Sequence, residues 1–368
     1  MHAFRTASVL MGLLLCACGA ASNPQPAAVT VTHDAVLVAF TEAPPTVTLM
    51  KLDGSVVATV PGSGINDERA IGAFLVVAAD GSGKEWTVDA SGAIKPVAPE
   101  AARLLQPQTA GNPLILDAST AIVGCVMSAN GDCTAEEINL STGAVRPLLT
   151  APSTGQAEMA LGRSLTVLDA SSDLGTIWLR RITAASVVSG QGPTGQLEIV
   201  GIDRRTDNVT SRALPLALLN EQDLTVTADG KWAAGQEEAG TNSNHLAIRH
   251  LHLVALATGA DSDVQGAAPY LGGQRSPSIL FAPGGATVAW WGGVDNGDSE
   301  WRINLTTVGG PVKTVPSITN AGRMSYVSWI DRNTLVVQQA STTFTIDATS
   351  GAVKTMPASI PYLLTVLG

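Results

Sequence analysis

The chain has 368 residues, 45% of them hydrophobic and 14% charged, with a formal net charge of −10. That balance supplies apolar side chains for a large core and excludes a disordered chain. The acidic excess disfavours nucleic acid and anionic lipid surfaces as partners.

The N-terminus reads as an export signal. Arg5 supplies a positive n-region, and Ala7 to Leu15 form an apolar run. That run is far shorter than the roughly 20 residues a membrane-spanning helix needs. The segment Leu15-Cys16-Ala17-Cys18 that ends it resembles a bacterial lipobox. The resemblance implies a diacylglycerol on a Cys thiol and cleavage just before that Cys. Cys18 follows the small residue Ala17 and fits better than Cys16, which follows Leu15. Two or more acyl chains give stable anchoring. The expected organisation is a signal over 1–17, a flexible tether over 18–28 and one folded domain over 29–368. The tether is small, polar and Pro-containing. The expected location is the bacterial cell envelope, lipid-anchored at the periplasmic face of the outer membrane or at the cell surface. Plain secretion with cleavage nearby and an uncleaved anchor stay open.

Beyond the tether the chain repeats itself. An alternating run, a tight turn and a second run rich in Val recur at 47–61, 86–99, 138–149, 197–215, 251–265, 302–316 and 344–357. The turn residues are Gly54, Gly92, Gly143, Asn208, Gly259, Gly310 and Gly351, types that tolerate positive φ. They lie about fifty residues apart, a repeat period typical of propellers and solenoids. A second pattern, an Asp or Gly turn before a β-rich run, occurs at 171–180, 227–236, 282–291 and 329–338. Weaker versions occur at 32–40 and 116–126. Each unit therefore reads as four short strands, a to d, and no segment after the signal sustains a 3.6-residue apolar period.

This predicts an all-β chain forming a single β-propeller of seven four-stranded blades. No first strand is evident between Gly62 and Ala73, so six or eight blades stay open. Ring closure falls to 362–368 or to 29–32, either of which can complete blade 1. The Asp-Gly turn units resemble the periplasmic propeller repeats of the Tol-system family and the propellers of prolyl oligopeptidase-type enzymes. The resemblance covers residues 160–357 best and bears on fold, not on function.

Cys125 and Cys133 flank a turn-rich loop between two strand-like runs. In an oxidising compartment an even pair predicts a disulfide, with two buried thiols as the alternative.

In a propeller the b–c and d–a loops share one rim, and the short a–b and c–d turns share the other. The b–c loops here are long and unalike, which marks that side as the candidate binding rim. It carries Asp80, Asp132, Glu237, Glu238, Trp291, Asp295, Asp298 and Glu300. Asp295, Asp298 and Glu300 are the weak candidates for a metal, calcium being the ion that favours clustered oxygens; otherwise no cofactor is expected. Solvated acidic loops are the bland alternative. Gly190 to Gly195 spells a GxGxxG run, but Pro193 and a following strand leave no helix to hold a dinucleotide. His250 and His252 share one strand face without an evident third ligand. Most of the seven Trp fall in strands and read as packing between blades; the adjacent Trp290 and Trp291 face opposite ways, which leaves room for one of them to be exposed.

Three functions fit. The leading one is a non-catalytic, lipid-anchored scaffold presenting its rim to a protein, peptide or glycan partner. The second is a propeller hydrolase or lyase whose residues come from several blades. The third is an assembly factor whose blade edges pair with client strands.

Overall fold

The computed structural model describes residues 35–62, 69–78, 80–105, 113–155, 163–187, 193–215, 224–241, 247–264, 279–285, 287–293, 301–315, 324–340, 342–356, 360 and 362–367. All fall within the unit His33–Gly368. Cys18, the signal, the tether and the 29–32 run lie outside the described residues.

The chain folds as a seven-bladed β-propeller. Blade 1 holds β1 (Val36–Glu42), β2 (Pro45–Lys51) and β3 (Val56–Pro61). Blade 2 holds β4 (Arg69–Ala70), β5 (Ala73–Val77), β6 (Glu85–Asp89) and β7 (Ile94–Pro96). A short helix, α1 (Pro99–Leu104), leads to blade 3: β8 (Leu114–Asp117), β9 (Thr120–Met127), β10 (Cys133–Asn139) and β11 (Val145–Ala151). Blade 4 holds β12 (Leu165–Ala170), β13 (Thr176–Val187), β14 (Pro193–Asp203) and β15 (Val209–Ala213). Blade 5 holds β16 (Thr225–Val226), β17 (Trp232–Thr241), β18 (Ala247–Ala255) and β19 (Ala260–Val264). Blade 6 holds β20 (Ile279–Phe281), β21 (Thr287–Gly293), β22 (Trp301–Thr307) and β23 (Lys313–Thr314). Blade 7 holds β24 (Met324–Asp331), β25 (Thr334–Gln339), β26 (Thr342–Asp347) and β27 (Val353–Thr355). The last strand, β28 (Tyr362–Leu367), returns to blade 1 and pairs antiparallel with β1.

Closure therefore uses the C-terminal strand. The order β28-β1-β2-β3 makes β28 the innermost strand of the first blade. The inner strands β28, β4, β8, β12, β16, β20 and β24 neighbour one another in turn, and β24 meets β28 to close the ring.

Blade 2 departs from the pattern at the place where the sequence lacks a first strand. Its inner strand β4 pairs in parallel with β8 of blade 3, leaving β5, β6 and β7 as a three-stranded sheet. Ile71 and Gly72 continue that pairing through N–H bonds to the carbonyls of Ile115 and Leu116, at 2.9 and 3.0 Å. A Cβ on Gly72 would lie 2.7 Å from the Leu116 carbonyl oxygen, so this approach requires glycine.

The core is divided among the blade interfaces. Each pair of adjacent blades encloses its own buried apolar cluster, and one of these joins blade 7 to blade 1 through Leu37, Ile330, Val336 and Leu363. Both faces of a blade are thus covered. This explains why second strands such as β5 and β9 read as nearly continuous apolar runs rather than strict alternations.

Four of the c–d turns are alike because their first residue locks them. The side-chain oxygens of Asp89, Asn139, Asp203 and Asp347 accept main-chain N–H groups two to four residues on, at 2.6–3.1 Å. Such Asx bonds mimic a backbone turn. In blades 4 and 6 the left-handed residue is Asp207 (φ 57°) and Gly309 (φ 73°), one position before Asn208 and Gly310. In blade 4 the turn bonds Asp207 N–H to Asp203 and Asp203 N–H to Asn208, which sets that register.

Candidate functional site

On the b–c side, two adjacent blades extend well past the sheet body. The β13–β14 pairing runs from Thr176↔Asp203 to Val187↔Pro193, with a bulge between Thr183 and Ser186 where Ala184 takes φ 50°. The neighbouring β17–β18 pairing runs from Trp232↔Ala255 to Thr241↔Ala247, again with a bulge, between Glu238 and Gly240. Bulges twist and re-aim a strand end. The inner strands β12 and β16 cover only the lower part of each hairpin.

Beneath that side lies a tier of buried polar residues. Arg180, Gln236 and Gln338 each stand four residues beyond the start of a second strand, at Thr176, Trp232 and Thr334. Burial lowers the Arg180 guanidinium to about 10. Its Nη2 donates to Thr166 Oγ1 at 3.2 Å. Gln338 donates from Nε2 to the Ile360 carbonyl at 2.7 Å. The Gln236 amide is 1% exposed and makes no hydrogen bond among the described residues. Blade 6 places Trp291 at the corresponding position.

The rim candidates separate under this geometry. Asp80 is exposed at the β5–β6 turn, where it accepts the Ser82 N–H at 2.9 Å. Hydrogen bonds from Ser82 hold its carboxyl below the ordinary range. Asp132 is half-buried, with both oxygens engaged: Ser153 N–H at 3.2 Å and Asn130 Nδ2 at 2.8 Å. It organises the loop closed by the Cys125–Cys133 disulfide. Glu237 and Glu238 stand on β17 opposite His250 and Arg249. Asp295, Asp298 and Glu300 lie outside the described residues, as do Gly190 to Gly192 of the GxGxxG run; Gly195 sits within β14.

Trp291 is a correction. It is 3% exposed and packs between blades 6 and 7, while Trp290 is 0% exposed and packs between blades 5 and 6. Neighbours on a strand do face opposite ways, but each face of β21 meets another blade. Trp178, Trp232 and Trp329 also join inter-blade clusters. His252 is likewise an interior residue, its Nδ1 lying 3.0 Å from Asp261. Among the described residues no three of His, Cys, Asp and Glu converge as a metal-ligand set. No helix among the described residues is long and apolar enough to cross a membrane.

The opposite face holds a feature that the sequence reading missed. Between blades 3 and 4, Glu137, Arg146, Asp173, Leu174, Gly175, Arg204 and Arg205 line a pocket of about 280 Å³. Glu137 Oε2 accepts from Arg146 Nη2 and Arg204 Nε, both at 2.8 Å. Burial raises the Glu137 carboxyl, but the bonds from Arg204 and Arg146 outweigh it and leave the group below its ordinary value. The signal was the Arg204-Arg205 doublet on a c–d turn, in a chain with only 21 Lys and Arg.

These features define a β-propeller with one face of uniform turns and one of long hairpins. No family model matches the sequence, and no curated protein does. Solved structures share the fold at low identity. Puromycin hydrolase superposes with a TM-score of 0.54 at 14% identity, covering 89% of this chain and 52% of that one. A putative 6-phosphogluconolactonase from Bacteroides uniformis gives 0.51 at 10% identity, covering 90% and 98%. TolB from Acinetobacter baumannii gives 0.43 at 15% identity, covering 78% of this chain and 65% of that one.

Proposed function

We propose that this protein is a non-catalytic lipoprotein of the bacterial cell envelope that presents its b–c rim to a protein, peptide or glycan partner. A lipid on Cys18 holds it, and residues 18–28 tether the propeller to the membrane. The difference between the two faces carries the reading. The c–d turns are short and four of them are locked by their own hydrogen bonds, whereas blades 4 and 5 project long, bulged hairpins side by side. Rigid scaffolds concentrate recognition on such loops.

Capture from envelope extracts tests the rim. The comparison is between the wild-type chain and one carrying Glu237→Lys, Glu238→Lys, Asp295→Lys and Asp298→Lys. A dominant co-purifying species that the reversed variant loses supports the rim; undiminished capture rejects it. Turnover of a peptide or glycan library by the purified protein would overturn the non-catalytic reading. The anchor has its own test: Cys18→Ser should move the protein from the membrane fraction to the soluble fraction.

A further inference from the structure

The pocket between blades 3 and 4 lies on the a–b and c–d side, away from the proposed rim. Its lining sets Arg146, Arg204 and Arg205 against Glu137 and Asp173. Asp207, outside the lining, pairs with Arg146, so the three guanidiniums are matched by three carboxylates in all.

The guanidiniums differ in what they have left to give. Arg146 is engaged at both ends, by Glu137 at 2.8 Å and by Asp207 at 2.6 Å. Arg204 is 19% exposed and gives Nε to Glu137 and Nη1 to the Leu174 carbonyl, the latter at 2.9 Å. Those two bonds fix the plane of the group and, among the described residues, leave Nη2 without a bond. Arg205, the next residue, is 74% exposed and lies 3.5 Å from Asp173, a loose ion pair. Two consecutive residues of one turn therefore bring unspent N–H groups to the same pocket, one of them held rigidly from below.

We propose that this pocket binds the carboxylate of an anionic ligand, with Arg204 Nη2 and Arg205 as the donors. Guanidinium forks match a carboxylate and make stronger bonds than neutral donors. A cluster without excess positive charge opposes a phosphate dianion more strongly than a monoanionic carboxylate. The volume lies just below the usual 300–1,000 Å³ of ligand pockets, which fits the acidic end of a peptide rather than a whole cofactor. Leu174 supplies the apolar wall, held in place by its left-handed backbone at φ 55°.

Titration of the full chain, followed by calorimetry, tests this with three probes. They are acetyl-Gly-Gly-Ala with a free C-terminus, the same tripeptide as the C-terminal amide, and inorganic phosphate. The free acid should bind saturably, and more weakly as salt rises. The amide should bind at least tenfold more weakly. Arg205→Gln, an exposed change that leaves the Glu137 network intact, should weaken the acid about tenfold. Equal binding of acid and amide, no saturable binding, or an affinity unmoved by Arg205→Gln would overturn the proposal. Phosphate binding tighter than the acid would overturn the choice of carboxylate.

Discussion

The side-chain carbonyl of Gln338, on the second strand of blade 7, accepts the main-chain N–H of Leu363 at 2.7 Å. The same amide donates to the Ile360 carbonyl at 2.7 Å. One buried glutamine thus holds both sides of the entry into β28, the strand that shuts the ring. A strand joined to its blade from the far end of the sequence has to find its register without a hairpin turn, and Gln338 supplies part of that register.

Replacing Gln338 should therefore cost more than its size suggests. Gln338→Leu keeps the bulk but leaves the Ile360 carbonyl and the Leu363 N–H buried without their partner. Each orphaned group costs about 1–3 kcal/mol. The expected loss in urea unfolding is about 2 kcal/mol or more. Hydrogen exchange should rise in Leu363 to Leu367 before it rises in blades 3 and 4. Uniform exchange across all blades would contradict the latch.

Trp178 gives a second measurable contact. Its indole N–H donates to the Ala228 carbonyl at 3.2 Å, and its ring lies against Gly230 of the next blade. A Cβ on Gly230 would lie 2.1 Å from the ring, whereas one on Gly284 would meet nothing within 4 Å. The two glycines share a left-handed backbone, φ 65° and 62°. Gly284→Ala isolates the backbone strain, about 1–2 kcal/mol. Gly230→Ala adds displacement of Trp178, about 1–3 kcal/mol more. Paired thermal unfolding of the two variants checks the difference.

The sequence revealed what repeats and hid what depends on neighbouring blades. The turn residues pointed to seven blades with six or eight left open, and the missing strand before Ala73, the source of that ambiguity, marked where blade 2 departs from the pattern. Ring closure stayed ambiguous because both Tyr362–Leu367 and the 29–32 run are strand-like; the structure assigns it to β28 through its pairing with β1 and the apolar face it shares with Ile330 and Val336. Trp291 was misread because alternation tells which face a residue takes but not whether that face is covered. The Arg204-Arg205 doublet hinted at the Glu137 pocket, but the sequence did not show its partners, for a related reason. Its charges come from two blades, with Glu137 and Arg204 separated by 67 positions.

The Cys125–Cys133 disulfide closes a loop across a sequence separation of 8. Both residues are buried, 1% and 3% exposed, in the cluster between blades 3 and 4. A crosslink over so short a loop restrains the unfolded chain by about 2–3 kcal/mol. Cys125→Ala with Cys133→Ala should lower stability by that amount. Dithiothreitol should lower the wild-type unfolding midpoint and leave the double variant's unchanged. A wild-type midpoint insensitive to reductant would show that the bridge adds nothing to the blade 3 hairpin.

Acid should weaken the fold in a defined window. The bonds from Arg204 and Arg146 hold Glu137 below its ordinary range against the opposing effect of burial. Main-chain N–H groups of Arg205 and Thr206 do the same for Asp203, and that of Ser350 for Asp347. A group whose folded pKa is lowered contributes stability above its unfolded value, about 4 for these carboxyls, and loses it as pH falls through the folded value. Glu136 runs the other way, since burial raises it, and its contribution fades as pH rises. The lowered groups outnumber it, so the urea midpoint should hold from pH 7 to about 5 and fall steeply below pH 4. Glu137→Gln should cost about 1–2 kcal/mol at pH 7, because two arginines lose their carboxylate. It should also flatten the acid limb, having no charge left to lose. A variant curve that runs parallel to the wild type down to pH 3 would remove Glu137 from the account.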